Sequence, residues 1–491
     1  MLTYDMTLRG NVPLYDYLYQ CIRQDIIVGN LAPGEKLPSK RALARHLNVG
    51  VITVTNAYEQ LLTEGYLTSV EKKGYYVENV SNYCLREFEP EVRIPEPEER
   101  EYFADFKANR NSLKNFPVDT WNRMMRATLS LRDPALFATV PYKGLRELRQ
   151  AIADYLKRHR AMVVDPAQII IGAGTEYLYG RLMQMFGTGC TFAMEDPGYK
   201  KFATISESYG NPWVYVPIDD GGLLVDRLEE SGADVVHVSP ANHFPTGIVM
   251  PITRRLRLFE WVNRKKGRYI IEDDYDSEFR YAGRFILPLY AEDRRKKVIY
   301  MNTFSKSLVP SLRISYMVLP PNLLERYEET MSFYSCTVSS FEQMALARFI
   351  NEGYFERHLN RMRKYYGEQR ELILAALERS RLMERARIVE RKAGTHFLLE
   401  VGTDLSEEEV RQRGLAQDLS LSLYSDYSFA PREKGKVTLI INYAGIQEEK
   451  IGEVVRRLER IFLEGGSGTV FSRGGGGNDP EKEVSRIPLK P

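Results

Sequence analysis

The sequence has few cysteines, no long apolar run and almost no net charge, and each absence excludes a class of protein. Four cysteines in 491 residues, none of them spaced as CxxC, argue against a disulfide framework and a structural zinc site. No apolar run reaches about 18 residues and the N-terminus lacks a signal-peptide core, so we expect a cytosolic protein. A net charge of +2 identifies no partner by bulk electrostatics. The length predicts two or three globular domains.

Residues 1–80 carry three amphipathic helix patterns followed by two short strand patterns. Pro13 opens the first helix, Ser39 caps the second, and the third ends at Gly65. This order is typical of a winged helix-turn-helix, whose third helix enters the major groove of DNA and whose hairpin tip contacts the backbone or minor groove. The segment holds eight basic and eight acidic residues. A helical interaction domain with a solvated charged face is therefore an equally good interpretation of composition alone.

The rest of the chain divides into four segments of different composition. Residues 81–105 are acidic and contain prolines, as a linker would. From residue 106 to 334, helix patterns alternate with short apolar strands, which predicts a large α/β domain with a mixed or parallel sheet covered on both faces. Residues 335–464 predict a smaller α/β subdomain, and the glycine-rich residues 465–491 predict a disordered tail.

Lys306 is the main candidate for chemistry. It lies among hydroxyl-bearing residues and precedes Arg313, thirty-three residues after Asp273 of the acidic cluster 272–276. A lysine amine can form a Schiff base with an aldehyde, and an upstream carboxylate such as Asp273 could hold a pyridinium nitrogen. These are parts that a pyridoxal phosphate site needs. The alternative is a surface lysine in a polar loop, which is the commonest environment for lysine.

Other residues could supply the remaining parts of a pyridoxal phosphate site. The loop 172–176 follows a strand and opens a helix, so its backbone N–H groups could bind a phosphate. Tyr199 follows a turn and could stack on a cofactor ring, while Tyr275 could donate to a ring oxygen. Each residue alone is as readily explained by a turn or a buried core position, but coincidence is improbable for all of them together. The remaining candidates for the phosphate are Thr303, Ser305 and Arg313.

The N-terminal segment resembles the GntR-type winged helix over nearly its whole length. The resemblance rests on "LPSKRALARHLNV", "ITVTNAYEQLLTEGYL" and "KKGYYV". The family often has Ser-Arg at the start of the recognition helix, where this chain has Gly50 and Val51, so a base-reading arginine is missing. The resemblance implies that these residues face DNA: Lys40, Arg41, Arg45, Thr53, Thr55, Lys73 and Gly74.

Residues 105–465 resemble fold-type I aminotransferases through "SPANHFPTG", "EDDYDSEF" and "TFSKSLVPSLRISY". The resemblance implies that pyridoxal 5'-phosphate forms a Schiff base with Lys306 and that Asp273 binds its ring nitrogen. Tyr275 and Asn242 would bind the ring hydroxyl, and Tyr199 would stack on the ring. The phosphate would be held by Gly174, Thr175, Thr303, Ser305 and Arg313.

Two positions depart from the aminotransferase pattern. Glu176 stands where a neutral residue is more usual. Aminotransferases also hold the substrate α-carboxylate with an arginine on a late strand, and Ile440 takes that place here. Lys201 and Arg432 are candidate substitutes for the missing cation.

A GntR-type winged helix followed by an aminotransferase-like domain is the architecture of the MocR/GabR family. That resemblance implies a cytosolic bacterial transcription regulator that binds operator DNA as a head-to-tail homodimer. Its aminotransferase-like domain would sense an amino compound, or pyridoxal phosphate itself, through Lys306. The alternative is a working aminotransferase with an accessory DNA-binding domain, and the missing carboxylate arginine argues against it for ordinary amino acids.

Overall fold

The chain folds as two compact units, Met1–Arg100 and Glu101–Pro491. Most of the predicted linker and the whole predicted tail lie outside the residues that the structure describes. No helix within the described residues combines the length and the apolarity needed to cross a bilayer. The computed structural model describes residues 2–80, 100–107, 115–281, 285–389, 394–430 and 434–464.

The first unit contains the three predicted helices and the predicted hairpin. The Ser39 hydroxyl accepts a hydrogen bond from the Ala42 amide and so caps the second helix, as expected from the sequence. Fully buried side chains from all three helices, among them Ile22, Leu43 and Leu61, form one core. The elements are α1 (Leu14–Val28), α2 (Lys40–His46), α3 (Val51–Thr63), β1 (Leu67–Val70) and β2 (Gly74–Val77), with the two strands antiparallel.

The second unit begins with a short strand and continues as alternating helices and strands. Its elements up to residue 351 are β3 (Ala104–Asp105), α4 (Val118–Ser130), α5 (Arg146–Arg160), β4 (Ile169–Gly172), α6 (Thr175–Phe186), β5 (Phe192–Asp196), α7 (Lys200–Ser208), β6 (Trp213–Asp219), β7 (Gly222–Leu223), α8 (Val225–Glu230), β8 (Val235–Val238), α9 (Ile252–Arg264), β9 (Tyr269–Asp273), α10 (Leu289–Glu292), β10 (Val298–Thr303), α11 (Phe304–Ser307), β11 (Ser315–Val318), α12 (Pro321–Met331) and α13 (Ser340–Asn351).

Eight of these strands form one mixed sheet in the order β4-β11-β10-β9-β8-β5-β6-β7. Strand β11 is antiparallel to both of its neighbours, and the strands from β10 to β6 run parallel to one another. Ile169 and Ile171 enter one apolar core while Ile170 enters the core on the opposite face. The sheet is therefore covered on both sides, which explains why its strands are continuously apolar.

The small subdomain is built on a three-stranded antiparallel sheet. Helix α13 and the start of α14, up to Leu359, pack in a core of the large sheet, whereas Met362 onward packs in the small core. The helix α14 therefore passes from one core to the other along its length. Ala104 also belongs to the small core, because β3 pairs with β14. The elements are α14 (Tyr354–Glu378), β12 (Ala386–Val389), β13 (His396–Gly402), α15 (Glu407–Ala416), β14 (Leu419–Ser420), β15 (Lys436–Asn442) and α16 (Ile451–Leu463).

The topology brings the candidate site residues to one edge of the large sheet. In register, Ser315 of β11 lies between Gly172 at the end of β4 and Thr303 at the end of β10. Asp273 ends the next strand, β9, opposite Met301. Ligands of α/β proteins bind outside the carboxyl ends of such strands.

Candidate functional site

The loop between β4 and α6 forms a cradle of backbone N–H groups and a guanidinium group. Gly174 has a φ of +93° and directly precedes the first residue of α6, Thr175. The positive φ favours glycine, and a Cβ atom at Gly174 would displace the guanidinium of Arg313 from the helix N-terminus. A helix N-terminus and an arginine together suit a phosphate group.

Two hydroxyl residues at the end of β10 border the cradle. The Thr303 hydroxyl oxygen accepts hydrogen bonds from the Ser305 amide at 3.1 Å and the Ser315 hydroxyl at 2.7 Å. The Ser305 hydroxyl is buried and has no hydrogen-bond partner among the described residues. Buried polar groups are normally paired, so this hydroxyl fits a ligand oxygen such as that of a phosphate.

Glu176 lies in the first turn of α6 and is paired with two cations. Its carboxylate accepts hydrogen bonds from Lys201 Nζ at 2.6 Å and from Arg313 Nη2 at 3.1 Å. These cations hold the pKa of Glu176 below its usual range, so the carboxylate is charged. Lys201 is therefore engaged with Glu176 at the cradle.

Asp273 presents one free carboxylate oxygen at the opposite end of the site. The Tyr179 hydroxyl donates to Oδ2 of Asp273 at 2.8 Å, and His237 Nε2 lies 3.5 Å from the same oxygen. The other oxygen, Oδ1, is buried without a partner among the described residues. A pyridinium N–H is the type of donor that this oxygen lacks.

Tyr199 lies within electrostatic range of both carboxylates. Burial raises the pKa of its phenol, and the negative charges of Glu176 and Asp273 raise it further. Its role as a ring that covers the cofactor stays a prediction.

Lys306 is half-buried and lies near a second carboxylate, Asp276. Burial lowers the pKa of the Lys306 amine, and the negative charge of Asp276 opposes this effect. Burial also raises the pKa of Asp276 to about 7. The Asn242 amide nitrogen lies 2.9 Å from both Asp276 oxygens and 3.5 Å from the Tyr275 hydroxyl, so these residues form one polar group around the lysine.

The late strand β15 directs Ile440 away from the core of the small subdomain. Val437, Leu439 and Ile441 enter that core, so Thr438 and Ile440 lie on the other face by strand alternation. Thr438 lines a cavity of about 960 Å³ between the two subdomains. Ile440 is buried and provides no cation there, and Arg432 lies outside the described residues.

Four residues around the site were not identified from the sequence. Tyr179 lies one helical turn after Thr175 on α6, a spacing that could have indicated it. His237 lies on β8, the strand beside Asp273. Asp276 was not distinguished from the other acidic residues of the cluster 272–276. His396 on β13 has its pKa lowered to about 4 by burial and by the Lys306 charge.

The residues expected to face DNA differ in their surroundings. The Lys40 ammonium lies 3.6 Å from Glu59 and 5.3 Å from the centre of the Tyr75 ring, so it is engaged within the unit. Arg41 and Arg45 on α2 are exposed, as is Lys73 in the hairpin turn. Thr53 and Thr55 lie on α3 and are half-buried, and the Thr55 hydroxyl donates a hydrogen bond to the Val51 carbonyl. Gly74 begins the second strand of the hairpin with a φ of +117°.

Comparison with known proteins identifies both units. Residues 14–77 match the bacterial regulatory proteins of the gntR family, and residues 105–458 match aminotransferase class I and II. The HTH-type transcriptional regulator YdeL of Bacillus subtilis (strain 168) is 36% identical over 455 residues, which are 92% of this chain and 97% of that protein.

Two further similarities agree with this result. The probable rhizopine catabolism regulatory protein MocR of Rhizobium meliloti is 32% identical over 92% of this chain and 94% of its own length. A crystal structure of Pyrococcus horikoshii kynurenine aminotransferase covers 74% of this chain and 91% of its own, with a TM-score of 0.65 and 23% identity. At that identity the likeness concerns the fold.

Proposed function

The chain belongs to the MocR-type transcription regulators, and on that premise we propose that its aminotransferase-like domain senses an amino compound, or the cofactor itself, through Lys306. The protein is a DNA-binding regulator that depends on pyridoxal phosphate. The observation that carries the proposal is the half-buried Lys306 near the Asp276 charge, in a site where one Asp273 oxygen has no partner among the described residues.

The residues of the site fit each part of the cofactor. Gly174, Thr175, Thr303, Ser305 and Arg313 would hold the phosphate. Asp273 would accept a hydrogen bond from the ring nitrogen, Tyr199 would cover the ring, and Tyr275 with Asn242 would face the ring hydroxyl. When bound, pyridoxal phosphate supplies an aldehyde carbon to which amines add reversibly.

The surroundings of Lys306 keep its amine reactive. Burial lowers its pKa, which favours the neutral and nucleophilic form of Nζ. Burial raises the pKa of Asp276, and the charges of Asp276 and Lys306 stabilise each other. Asn242 fixes the Asp276 carboxylate through its side-chain amide. The net charge of the Lys306–Asp276 pair would therefore change when Lys306 forms or loses a covalent bond to the cofactor.

The buried Ile440 favours sensing over turnover. A guanidinium group at that position would hold the carboxylate of an ordinary α-amino acid, and an isoleucine cannot. Turnover is not needed for regulation, because an effector that binds one conformation better than another shifts their populations. We infer that an effector amine that took the place of Lys306 on bound cofactor would favour closure of the small subdomain. In a head-to-tail homodimer this closure would change the spacing of the two winged helices on operator DNA in the cytoplasm.

The DNA-binding role is assigned to α2, α3 and the hairpin. Arg41 and Arg45 would contact phosphates, and Thr53 and Thr55 lie on the helix that would enter the major groove. Lys73 would contact the backbone from the hairpin, where Gly74 allows the turn. Lys40 contributes charge from its place beside Glu59, although its ammonium is partly neutralised there.

An amino-acid titration tests the sensor function. The protein loaded with pyridoxal phosphate is mixed with a panel of amino compounds while its visible absorbance, keto-acid formation and DNA affinity are followed. A spectral shift and a change in DNA affinity without sustained keto-acid formation support sensing of an amino compound. Steady keto-acid formation with unchanged DNA affinity would identify an enzyme. DNA affinity that responds only to the cofactor would identify a cofactor sensor.

A further inference from the structure

The first turn of α3 exposes two apolar side chains. Ile52 is 74% exposed and Val51 is 47% exposed, whereas Val54, Ala57 and Leu61 of the same helix are fully buried in the core. The buried face already accounts for the packing of α3. β-branched residues are also poorer helix formers than most, so the stability of this unit does not call for them on an exposed turn.

Gly50 leaves the beginning of this helix uncovered. Its φ is −64°, which any residue adopts, and a Cβ atom there would make only ordinary contacts, the nearest at 3.7 Å from the Thr53 hydroxyl. Neither backbone conformation nor packing therefore requires glycine. The absence of a side chain at this position lets the helix N-terminus approach a partner closely.

The surroundings of the exposed pair identify the partner as DNA. Helix α2 packs against α3 and carries the exposed Arg41 and Arg45, which suit the phosphates that border a major groove. Valine and isoleucine have no hydrogen-bonding group in their side chains. Among the base-pair edges in the major groove, the apolar group available to them is the C5-methyl of thymine.

We propose that Val51 and Ile52 read thymine methyl groups in the major groove, with Val51 at the position where a base-reading arginine was expected. The inference rests on the proposed entry of α3 into that groove. The inference predicts that each operator half-site contains at least one thymine among the base pairs that the first turn of α3 contacts. Removing one methyl contact should lower affinity about fourfold, as expected for burial of one methyl-sized group.

Deoxyuridine tests this reading directly, because it differs from thymidine only by the missing methyl group. Full-length protein loaded with pyridoxal phosphate selects duplexes from a random-sequence pool, and the selected consensus is labelled. Each thymine is then replaced singly by deoxyuridine, and affinities are measured by fluorescence anisotropy at one salt concentration. We expect one or two positions per half-site to lose about fourfold in affinity, and the other replacements to be neutral.

Variants connect the effect to the protein. Ile52→Ala and Val51→Ala change exposed side chains and should bind the consensus more weakly, with the deoxyuridine effect lost at the position that each residue contacts. Val28→Ala is the matched control, since Val28 is 63% exposed at the end of α1 and should leave the wild-type pattern intact.

The outcomes separate this inference from the DNA-binding role on which it rests. Sequence-specific binding in which every deoxyuridine duplex equals its thymine parent would overturn the inference alone. An unchanged deoxyuridine effect in both Ile52→Ala and Val51→Ala would overturn it as well. Failure of the wild-type protein to enrich any duplex would contradict the DNA-binding role and the inference together.

Discussion

The Tyr179 hydroxyl donates a hydrogen bond of 2.8 Å to Oδ2 of Asp273, while Oδ1 of the same carboxylate is buried without a partner among the described residues. This arrangement fixes the orientation of Asp273 and leaves one charged acceptor available for a ring nitrogen. Asp273→Asn removes the charge at nearly constant size. We expect it to weaken equilibrium binding of pyridoxal phosphate by roughly 10- to 100-fold, the range for loss of a charged hydrogen bond.

The control for that measurement is Tyr179→Phe. It keeps the Asp273 charge and removes only the hydrogen bond that orients it, so the loss of cofactor affinity should be smaller. If Asp273→Asn bound the cofactor within a factor of two of wild type, Asp273 would not be the partner of the ring nitrogen.

Glu176 should weaken cofactor binding, because its carboxylate competes with phosphate for Arg313. The two ion pairs of 2.6 Å and 3.1 Å must give way or share their cations when a phosphate enters the cradle. We expect Glu176→Gln to tighten pyridoxal phosphate binding by up to about fivefold at low ionic strength, with a smaller gain in salt. Glu207→Gln, on the exposed side of α7, should have no effect. Weaker binding by Glu176→Gln would contradict the competition.

His396 should make the second unit sensitive to acid. Burial and the nearby Lys306 lower its pKa from 6.5 to about 4, so the folded protein holds it neutral. Its contribution to stability is present above pH 6.5 and is lost as the pH falls towards 4, by no more than about 1.4 kcal/mol per pH unit. In thermal melts, the advantage of wild type over His396→Gln should therefore shrink as the pH falls through this window.

A matched control separates this effect from general acid destabilisation. His159→Gln removes an exposed imidazole from α5, and its difference from wild type should not follow the same course. A wild-type advantage over His396→Gln that grew on acidification would show that His396 is not held neutral.

Ile440→Arg should restore the recognition of ordinary α-amino acids. A guanidinium group on the cleft face of β15 would pair with a substrate carboxylate. The concentration of amino acid that half-saturates the spectral change of the bound cofactor should fall at least roughly tenfold, since charged hydrogen bonds contribute about 1.5–3 kcal/mol. Thr438→Arg, two residues earlier on the same face, is the control for added charge. Equal behaviour of both variants would contradict the assigned role of this position.

The sequence predicted the elements whose pattern is local. The helices of the first unit follow from apolar spacing and from the Ser39 cap, and the buried strands of the large sheet follow from their continuous apolar runs. The place of β11 in the sheet could not be predicted, because it lies antiparallel between β4 and β10 and its pairing of Ser315 with Gly172 is far from local. The apolar pattern of α14 does not distinguish the two cores that it enters, so the sequence alone could not divide this helix between them.

The acidic cluster shows why site geometry could not be predicted fully. Glu272 accepts hydrogen bonds from two backbone amides, whereas Asp274 is paired with Arg160 and receives the Tyr300 hydroxyl. Asp273 and Asp276 enter the site at different points. Four neighbouring carboxylates thus have four environments, because the end of β9 and the following turn direct successive side chains to different sides. The partners come from distant segments, and no local spacing identifies them.

The central claim is that Lys306 connects an amino compound, or the cofactor, to DNA binding. The most direct measurement compares the affinities of full-length wild type and Lys306→Ala for the selected duplex. Each affinity is measured in the absence and in the presence of pyridoxal phosphate and of a panel of amino compounds. Lys364→Ala is the control for loss of an exposed lysine. We predict that wild type and Lys364→Ala change their DNA affinity on addition of a ligand. Lys306→Ala should still bind the duplex but should no longer respond. A response of the same size in Lys306→Ala would contradict the claim.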